Sequence, residues 1–346
     1  HLSALRVSLS VAGPSLALLV FGRPELTLYA LIGALTGMYG RTEPHQHRFG
    51  HQLGAAGMLV TGVAVGTGLS INGLHSWWLV GIETLLAGLG SVVADRLNFR
   101  PSGPFFGLLA LGACASIPVT VPWFTAVLIA VGSAAFAIAI GFSGWMRHRV
   151  WQPGASRSAA FLGGHRRQGA GLQAGRYVLA VGAAGAAGVL SGSAYPHWAM
   201  AAAAVPLAAA DLAGGIYRGI HRVVGTFLGL GIVAVLLLPA PWQLNAPQDA
   251  PALVIVVILL QFTTELFMTR HYGLAMVSFT PVIVLATQLA APADPYALIS
   301  ERAVETLLGA TTGVIILVAS RRRGAASSVM VENGAILTAE NSAATR

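Results

Sequence analysis

The segment IYRGIHRVVGTFLGLG, from Ile216 to Gly231, places two arginines and a histidine at the start of an apolar, glycine-rich run. In the first half of the chain, HRFGHQLGAAG (His47 to Gly57) has the same order, with basic residues first and small residues after them. Only 9% of the residues are charged, so this repeated pattern is a strong signal. Basic residues at the end of an apolar helix are typical of the cytoplasmic edge of a membrane span.

The composition extends this interpretation to the whole chain. Its 346 residues are 55% hydrophobic with a mean hydropathy of +0.72, whereas a soluble domain carries about 25% charged residues. Apolar runs recur between polar segments and predict an all-α polytopic membrane protein with about twelve transmembrane helices. We place these spans near 4–21, 26–40, 52–70, 77–94, 104–120, 122–143, 175–191, 197–213, 222–240, 251–268, 272–290 and 302–320. Some are short for a bilayer, so tilting or local thinning is expected.

The basic residues predict the orientation of these helices. Lysine is absent, and all 20 basic residues are arginines. With a cytoplasmic amino terminus, nearly all of them fall in cytoplasmic loops, as the positive-inside rule requires. This predicts a multi-pass protein of the bacterial inner membrane with both termini in the cytoplasm. The arginines are spread over many short loops, which favours contact with membrane lipid and excludes nucleic acid as a partner.

Two spacings recur in the two halves of the chain: an arginine three residues before a histidine, and an acid five residues before an arginine. They are Arg48/His51 with Arg218/His221, and Asp95/Arg100 with Glu265/Arg270. We therefore predict two parallel six-helix repeats, 1–146 and 175–323. A short basic cytoplasmic linker (147–174) joins them, and a disordered cytoplasmic tail (324–346) follows. Transporters built from such repeats bind substrate at the interface between the repeats.

Four segments of the second half carry a family resemblance: AAADLAGG around Asp211, YRGIHRVVGTFLG, RHYGLAMVSFTPVIVL and ERAVETLLGATTGV. They resemble the fusaric acid resistance family of aromatic acid exporters, which is distantly similar to the plant aluminium-activated malate channels. The resemblance implies two six-helix membrane units and export of aromatic carboxylates. Many members carry a large soluble domain between the units, but 147–174 is too short for one. The periplasmic adaptor used by some relatives is likewise unsupported.

Charged residues inside predicted spans are the candidates for transport and coupling, because a charge at the bilayer centre costs about 2.5–3.5 kcal/mol. Arg302 and Glu305 share a helix face and can pair, unless they form only an external ion pair that reaches water. Asp211 and Glu265 serve either transport or the neutralisation of nearby arginines. Glu83 has no obvious partner, so it handles protons or substrate, or else pairs with another helix.

Seven basic residues near cytoplasmic helix ends are predicted to form an anion vestibule: Arg218, His221, Arg222, Arg270, Arg48, His51 and Arg100. The alternative is that they only fix the orientation of the chain. Tight helix packing is predicted at Gly225, Gly229, Gly309 and Gly313. The tryptophans near outside ends, Trp198 among them, are expected in the interfacial belt. The better candidates to line a path are Phe262, Phe267, Tyr272 and Phe279.

The function predicted from these features is export of aromatic or amphipathic organic anions, driven by the proton gradient. Protonation of a carboxylate such as Glu305 would bias the exposure of the repeat interface. A passive organic-anion channel is the first alternative, and a non-transporting membrane scaffold is another. No enzyme, cofactor or metal site is expected, because HExxH, nucleophile-elbow and nucleotide-loop motifs are absent and the histidines lack a matching ligand set. A homodimer is left open.

Overall fold

The computed structural model describes residues 2–41, 43, 45–74, 76–148, 165–238, 247–268 and 270–344. Within these ranges the chain forms twelve α-helices and three short 3-10 helices and no strands. The predicted all-α class is therefore confirmed. The helices lie where the apolar runs predicted them, although their ends differ.

The α-helices are α1 Leu2–Val20, α2 Thr27–Ala34, α3 His45–Ile71, α4 Trp77–Leu97, α5 Phe105–Ser116, α6 Trp123–His148, α7 His165–Leu190, α8 His197–Leu207, α9 Leu212–Leu237, α10 Ala250–Phe267, α11 Tyr272–Ala290 and α12 Pro295–Ala344. The 3-10 helices are Pro24–Leu26, Leu35–Met38 and Pro247–Asp249. Below, α1–α6 are called the first set and α7–α12 the second set.

Seven helices of the described part are long and apolar enough to cross a membrane: Arg48–Ile71, Trp77–Leu97, Trp123–Ser143, Leu212–Leu237, Ala250–Phe267, Tyr272–Ala290 and Pro295–Arg321. Three further apolar helices are shorter, namely Ala4–Val20, Phe105–Ser116 and His197–Leu207. At 1.5 Å per residue, an 11- or 12-residue helix spans about 16–18 Å, which is less than the apolar core of a bilayer. The chain is a multi-pass membrane protein, and the count of twelve spans stays a prediction.

The two sets have equivalent internal packing. In the first set, α3 packs against α5 and α6, and α2 packs against α6. In the second set, α9 packs against α11 and α12, and α8 packs against α12. The fourth helix of each set crosses over, since α4 packs against α7 and α10 packs against α1. The two sets are thereby interlocked.

The interior is built from short helices that are buried on all sides. Every residue of α2 and α8 is buried, and so is every residue of α5 except the last. Helices α5 and α8 are in contact, and so are α2 and α11. Because these helices are apolar all round, they avoid water only when the longer helices surround them. The short helices therefore form the centre of the protein.

The predicted domain bounds can be compared with the helices. Helix α6 continues to His148 and α7 begins at His165, so both extend into the predicted linker 147–174. Residues 149–164 lie outside the described residues. Helix α12 runs to Ala344, so the backbone is helical where a disordered tail, 324–346, was expected. The division into domains stays a prediction.

Candidate functional site

A cavity of about 260 Å³ lies where α5, α8, α9 and α11 approach one another, and we call it the basic cavity. Arg41, Arg100 and Arg218 contribute to its wall. The remaining lining residues are Gly40, Pro101, Ser102, Phe105, Phe106, Val205, Ala208, Met268, Tyr272 and Met276. None of the described lining residues is acidic, so the cavity attracts anions.

Helix starts add to this positive character. Phe105 is the first residue of α5 and Tyr272 is the first residue of α11, and both line the basic cavity. The first backbone N–H groups of a helix have no partner within it and carry a partial positive charge. Two helix starts and three arginines therefore converge on one space.

Arg222 lies one helical turn beyond Arg218 on α9 and contacts Phe105 and Met276, which line the basic cavity. Its side chain is fully buried, and its Nη1 donates to the Met276 sulfur at 3.3 Å. Its guanidinium carbon is 5.0 Å from the centre of the Phe105 ring, a cation–π contact. Nε and Nη2 have no hydrogen-bond partner among the described residues. Buried donors without a partner are rare, because each costs free energy.

Arg302, on α12, is another buried arginine. Its guanidinium carbon is 3.5 Å from the centre of the Trp198 ring, and its Nε and Nη1 also have no partner in the described part of the chain. The positive charge of Arg222 acts on Arg302 and repels it. Arg218, Arg222 and Arg302 thus form a series from the basic cavity into the interior, which we call the arginine ladder.

Glu305 lies one turn beyond Arg302 and is also buried. Its carboxylate is near Ser193 and the Ala199 backbone, but neither oxygen has good hydrogen-bond geometry. Its negative charge attracts Arg302, although no ion pair joins these two described residues. The expected pairing of Arg302 with Glu305 is therefore electrostatic rather than a direct contact.

Aromatic rings accompany the arginine ladder. The rings of Phe106 and Phe279 are 5.7 Å apart, edge to face, and the Phe105 ring lies 4.9 Å from that of Phe106. The ring of His197 is 4.4 Å from that of Trp198. Guanidinium groups bind carboxylates through paired hydrogen bonds, and aromatic surfaces bind apolar rings. Together these groups can hold an aromatic or amphipathic anion.

An ion pair joins the two sets beside the basic cavity. Arg41, which follows the first short helices, binds the carboxylate of Glu265 on α10. The Glu265 side chain is fully buried, and its other oxygen accepts a hydrogen bond from Gln261 at 3.2 Å. Arg41 is 12% exposed and also lines the basic cavity. One guanidinium therefore faces both a protein carboxylate and an open space.

The predicted anion vestibule is assembled only in part. Arg100 and Arg218 line the basic cavity, whereas Arg222 does not line it and contacts the lining residue Phe105. Arg270 is exposed, and His221 stacks on Tyr217 at 3.7 Å beside a different pocket, between α9 and α11.

Arg48 and His51 are engaged elsewhere in the first set. Arg48 is buried and donates hydrogen bonds to the carbonyl oxygens of Gly40, Arg41, Glu43 and Gly141. The His51 ring contacts the Glu43 carboxylate, with Nδ1 and Oε2 2.5 Å apart. Arg48 thus holds the end of the first short helices in place. Arg218 has a related contact, since it donates to the Ala208 carbonyl just after α8 at 3.3 Å.

The remaining candidates lie apart from the cavity. Glu83, on α4, is fully buried, and neither of its oxygens has a hydrogen-bond partner among the described residues. It does not line the basic cavity. Asp211 is exposed at the start of α9. Its position is typical of a helix-capping residue.

The four glycines predicted at helix contacts all face a neighbouring backbone. A Cβ on Gly225 would lie 2.8 Å from the Gly273 carbonyl oxygen of α11, and one on Gly229 would lie 2.7 Å from that of Val277. A Cβ on Gly309 or Gly313 would overlap the Ala199 or Ala203 carbonyl of α8. The first two contacts bring α9, which carries Arg222, close to α11, and the last two bring α12, which carries Arg302, close to α8.

Sequence reasoning missed several residues of the site. Trp198 was expected in the interfacial belt, but that expectation is wrong, because it is 2% exposed and lies beneath Arg302. Arg41, Phe105 and His197 were not singled out. The available signal was their position at the ends of unusually short apolar runs, where discontinuous helices place binding groups.

Interlocked apolar helices around an interior lined by arginines define a multi-pass membrane protein of the transporter class. Residues 179–316 match the family described as fusaric acid resistance protein-like, which confirms the resemblance seen in the sequence. The match runs from α7 to α12 and contains the whole arginine ladder and Trp198. No curated protein and no solved structure matches the chain.

Proposed function

We propose that the protein exports aromatic or amphipathic organic anions across the bacterial inner membrane and is driven by the proton gradient. The observation that carries the proposal is Arg222. It is fully buried against Phe105, which lines the basic cavity, and two of its nitrogen atoms lack acceptors among the described residues.

The chemistry of Arg222 favours a carboxylate as the missing acceptor. A cation inside a membrane protein is expensive, so it persists where it has a function. A planar guanidinium binds a carboxylate through two parallel hydrogen bonds. The neighbouring ring of Phe105 would pack against the apolar part of the same molecule. An aromatic carboxylate satisfies both features.

Arg302 supplies a second position for the anion. It has its own ring, that of Trp198, and its own two nitrogens without acceptors. An anion that leaves Arg222 would move to Arg302 and then towards Glu301 and Glu305 at the other end of the ladder. Repulsion between the two arginines falls when an anion lies between them. The transfer therefore has a favourable electrostatic basis.

The equivalent packing of the two sets supports a duplicated unit, with the anion path at the interface between its copies. In this scheme the interface opens alternately to the two sides of the membrane. Glu305 is the coupling group, because protonation removes the negative charge that attracts Arg302. The arginine is then free to bind or release the anion as exposure changes.

A passive organic-anion channel is the second candidate, and the arginine ladder also favours it. A channel requires a continuous basic path but no essential protonatable group. A non-transporting scaffold would require neither.

The deciding experiment is uptake of labelled benzoate into inside-out vesicles, with and without an imposed proton gradient. Wild type would be compared with Glu305→Gln, Arg222→Gln and the control Glu25→Gln, which neutralises an exposed acid paired with Arg23. Gradient-driven accumulation that is lost in the first two variants supports the exporter. Downhill flux that is the same with and without the gradient, and the same in Glu305→Gln as in wild type, indicates a channel. No flux from any protein argues for a scaffold.

A further inference from the structure

Arg41 has two possible partners. It lines the basic cavity, and its Nη1 binds the buried carboxylate of Glu265. Arg41 is part of the first set and Glu265 part of the second. The ion pair therefore connects the two sets beside the space through which an anion would enter.

We infer that Glu265 is a built-in competitor for the entering anion, and that Arg41 and Glu265 form a carboxylate latch at the basic cavity. With no anion bound, the Glu265 carboxylate occupies the guanidinium of Arg41. An entering carboxylate takes its place, and the salt link between the two sets opens. This inference rests on the proposed function, because it concerns the anion that the basic cavity receives.

Glu265 and a substrate carboxylate are the same chemical group, so Arg41 can exchange one for the other without loss of hydrogen-bond geometry. The second oxygen of Glu265 is held by Gln261 at 3.2 Å on the same helix. The acid thus keeps one hydrogen bond after Arg41 leaves. Arg41 is the more exposed partner, at 12% against 0% for Glu265. It is therefore the group that moves.

The latch lowers the affinity for an entering anion, because the anion must displace Glu265 from Arg41. A site that is occupied by an internal competitor binds its ligand more weakly, in proportion to the fraction of molecules in which it is free. Removing the charge of Glu265 should free Arg41 and raise the affinity for anions. Arg222 would bind the same anion next, so it is not part of the latch.

The first test is binding of benzoate to the purified full-length chain. Glu265→Gln keeps the shape and the Gln261 contact, and we expect it to bind benzoate about tenfold more tightly than wild type, within the usual range for coupled sites. Glu25→Gln is the matched control, because it removes one negative charge from an exposed ion pair elsewhere. It should bind like wild type. In the double variant Arg41→Gln/Glu265→Gln the gain should disappear.

The second test uses the wild type alone and does not depend on the folding of a variant. Dicyclohexylcarbodiimide reacts with protonated carboxyl groups in apolar surroundings, and the ion pair with Arg41 should protect Glu265. Benzoate should therefore increase labelling of Glu265, as measured by mass spectrometry of the peptide.

The outcomes separate the latch from the function. Tighter binding by Glu265→Gln together with benzoate-dependent labelling supports the latch. If the wild type binds benzoate and Glu265→Gln binds it equally or more weakly, the latch is overturned and the proposed function stays intact. Failure of every protein to bind benzoate would overturn both.

Discussion

The guanidinium of Arg302 lies flat against the indole of Trp198, with 3.5 Å between its central carbon and the ring centre. The two residues are far apart in the chain, on α12 and α8, and both are almost fully buried. Close approach of these helices depends on Gly309 and Gly313, where a Cβ would meet the α8 backbone. The position of this charge is thus fixed by packing, which is what an anion-binding group requires.

Replacing Trp198 should destabilise the protein. Trp198→Ala removes a buried ring and the cation–π contact with Arg302, and we expect a loss of about 3–5 kcal/mol in unfolding free energy. Trp198→Phe keeps an aromatic surface and should lose much less. Thermal unfolding in detergent measures both. Trp78→Ala is the control, since Trp78 is 64% exposed. An equal loss for Trp78 and Trp198 would contradict the role given to the buried ring.

Arg222→Gln should strongly reduce anion transport without destabilising the fold. The change removes a charge-assisted hydrogen bond to the anion, worth about 1.5–3 kcal/mol, so benzoate flux should fall about tenfold or more. Stability should stay the same or rise, because an uncompensated buried charge disappears. Flux in vesicles and thermal unfolding of the same preparation test the two parts together.

Arg48→Gln is the comparison for Arg222→Gln, since both are buried arginines on long helices. The four hydrogen bonds that Arg48 donates within the described part of the chain all reach backbone carbonyls, so its loss should cost about 2–4 kcal/mol of stability. Destabilisation of the same size in Arg222→Gln would show that Arg222 is structural.

Two glycines on α9 should respond in opposite ways to alanine. Gly229→Ala places a methyl group 2.7 Å from the Val277 carbonyl oxygen and should cost about 2 kcal/mol or more. Gly231→Ala meets nothing within 4 Å and should stabilise the helix by up to about 1 kcal/mol. Thermal unfolding of the two variants is the measurement. Equal effects would mean that α9 does not pack against α11 as closely as described.

The two sets should need each other to fold. Helix α4 packs against α7 and α10 packs against α1, so each set lacks a partner when it is made alone. We expect fragments 1–155 and 156–346 to copurify in detergent when coexpressed, with a tag on one of them. Each fragment expressed alone should aggregate or be degraded. Two stable, separate halves would contradict the interlocked packing.

The sequence contained enough information for the class and the helices, and less for the site. Apolar length alone predicts α9 and α12, because burial in lipid requires it. The arginine positions predict which helix ends carry charge. Yet Arg48 and Arg222 look alike in sequence, and only packing decides that Arg48 meets carbonyl oxygens while Arg222 meets a ring and a sulfur.

The other residues of the site could not be predicted because their partners are far away in the sequence. Arg41 and Glu265 are 224 residues apart, and no local pattern relates them. Trp198 carries the same signal as an interfacial tryptophan, because it begins an apolar run near a loop. Its burial follows from the central position of α8, every residue of which is buried.

The crossing of α10 onto α1 affects the order of events during synthesis. Helix α1 is made before the helix that covers its side, because α2–α9 lie between α1 and α10 in the chain. Contacts between distant parts of a chain form late, and exposed surfaces that wait for them attract chaperones and proteases. A premature stop before Ala250 leaves α1 without this cover, so cellular quality control can recognise an unfinished chain by the exposed side of α1.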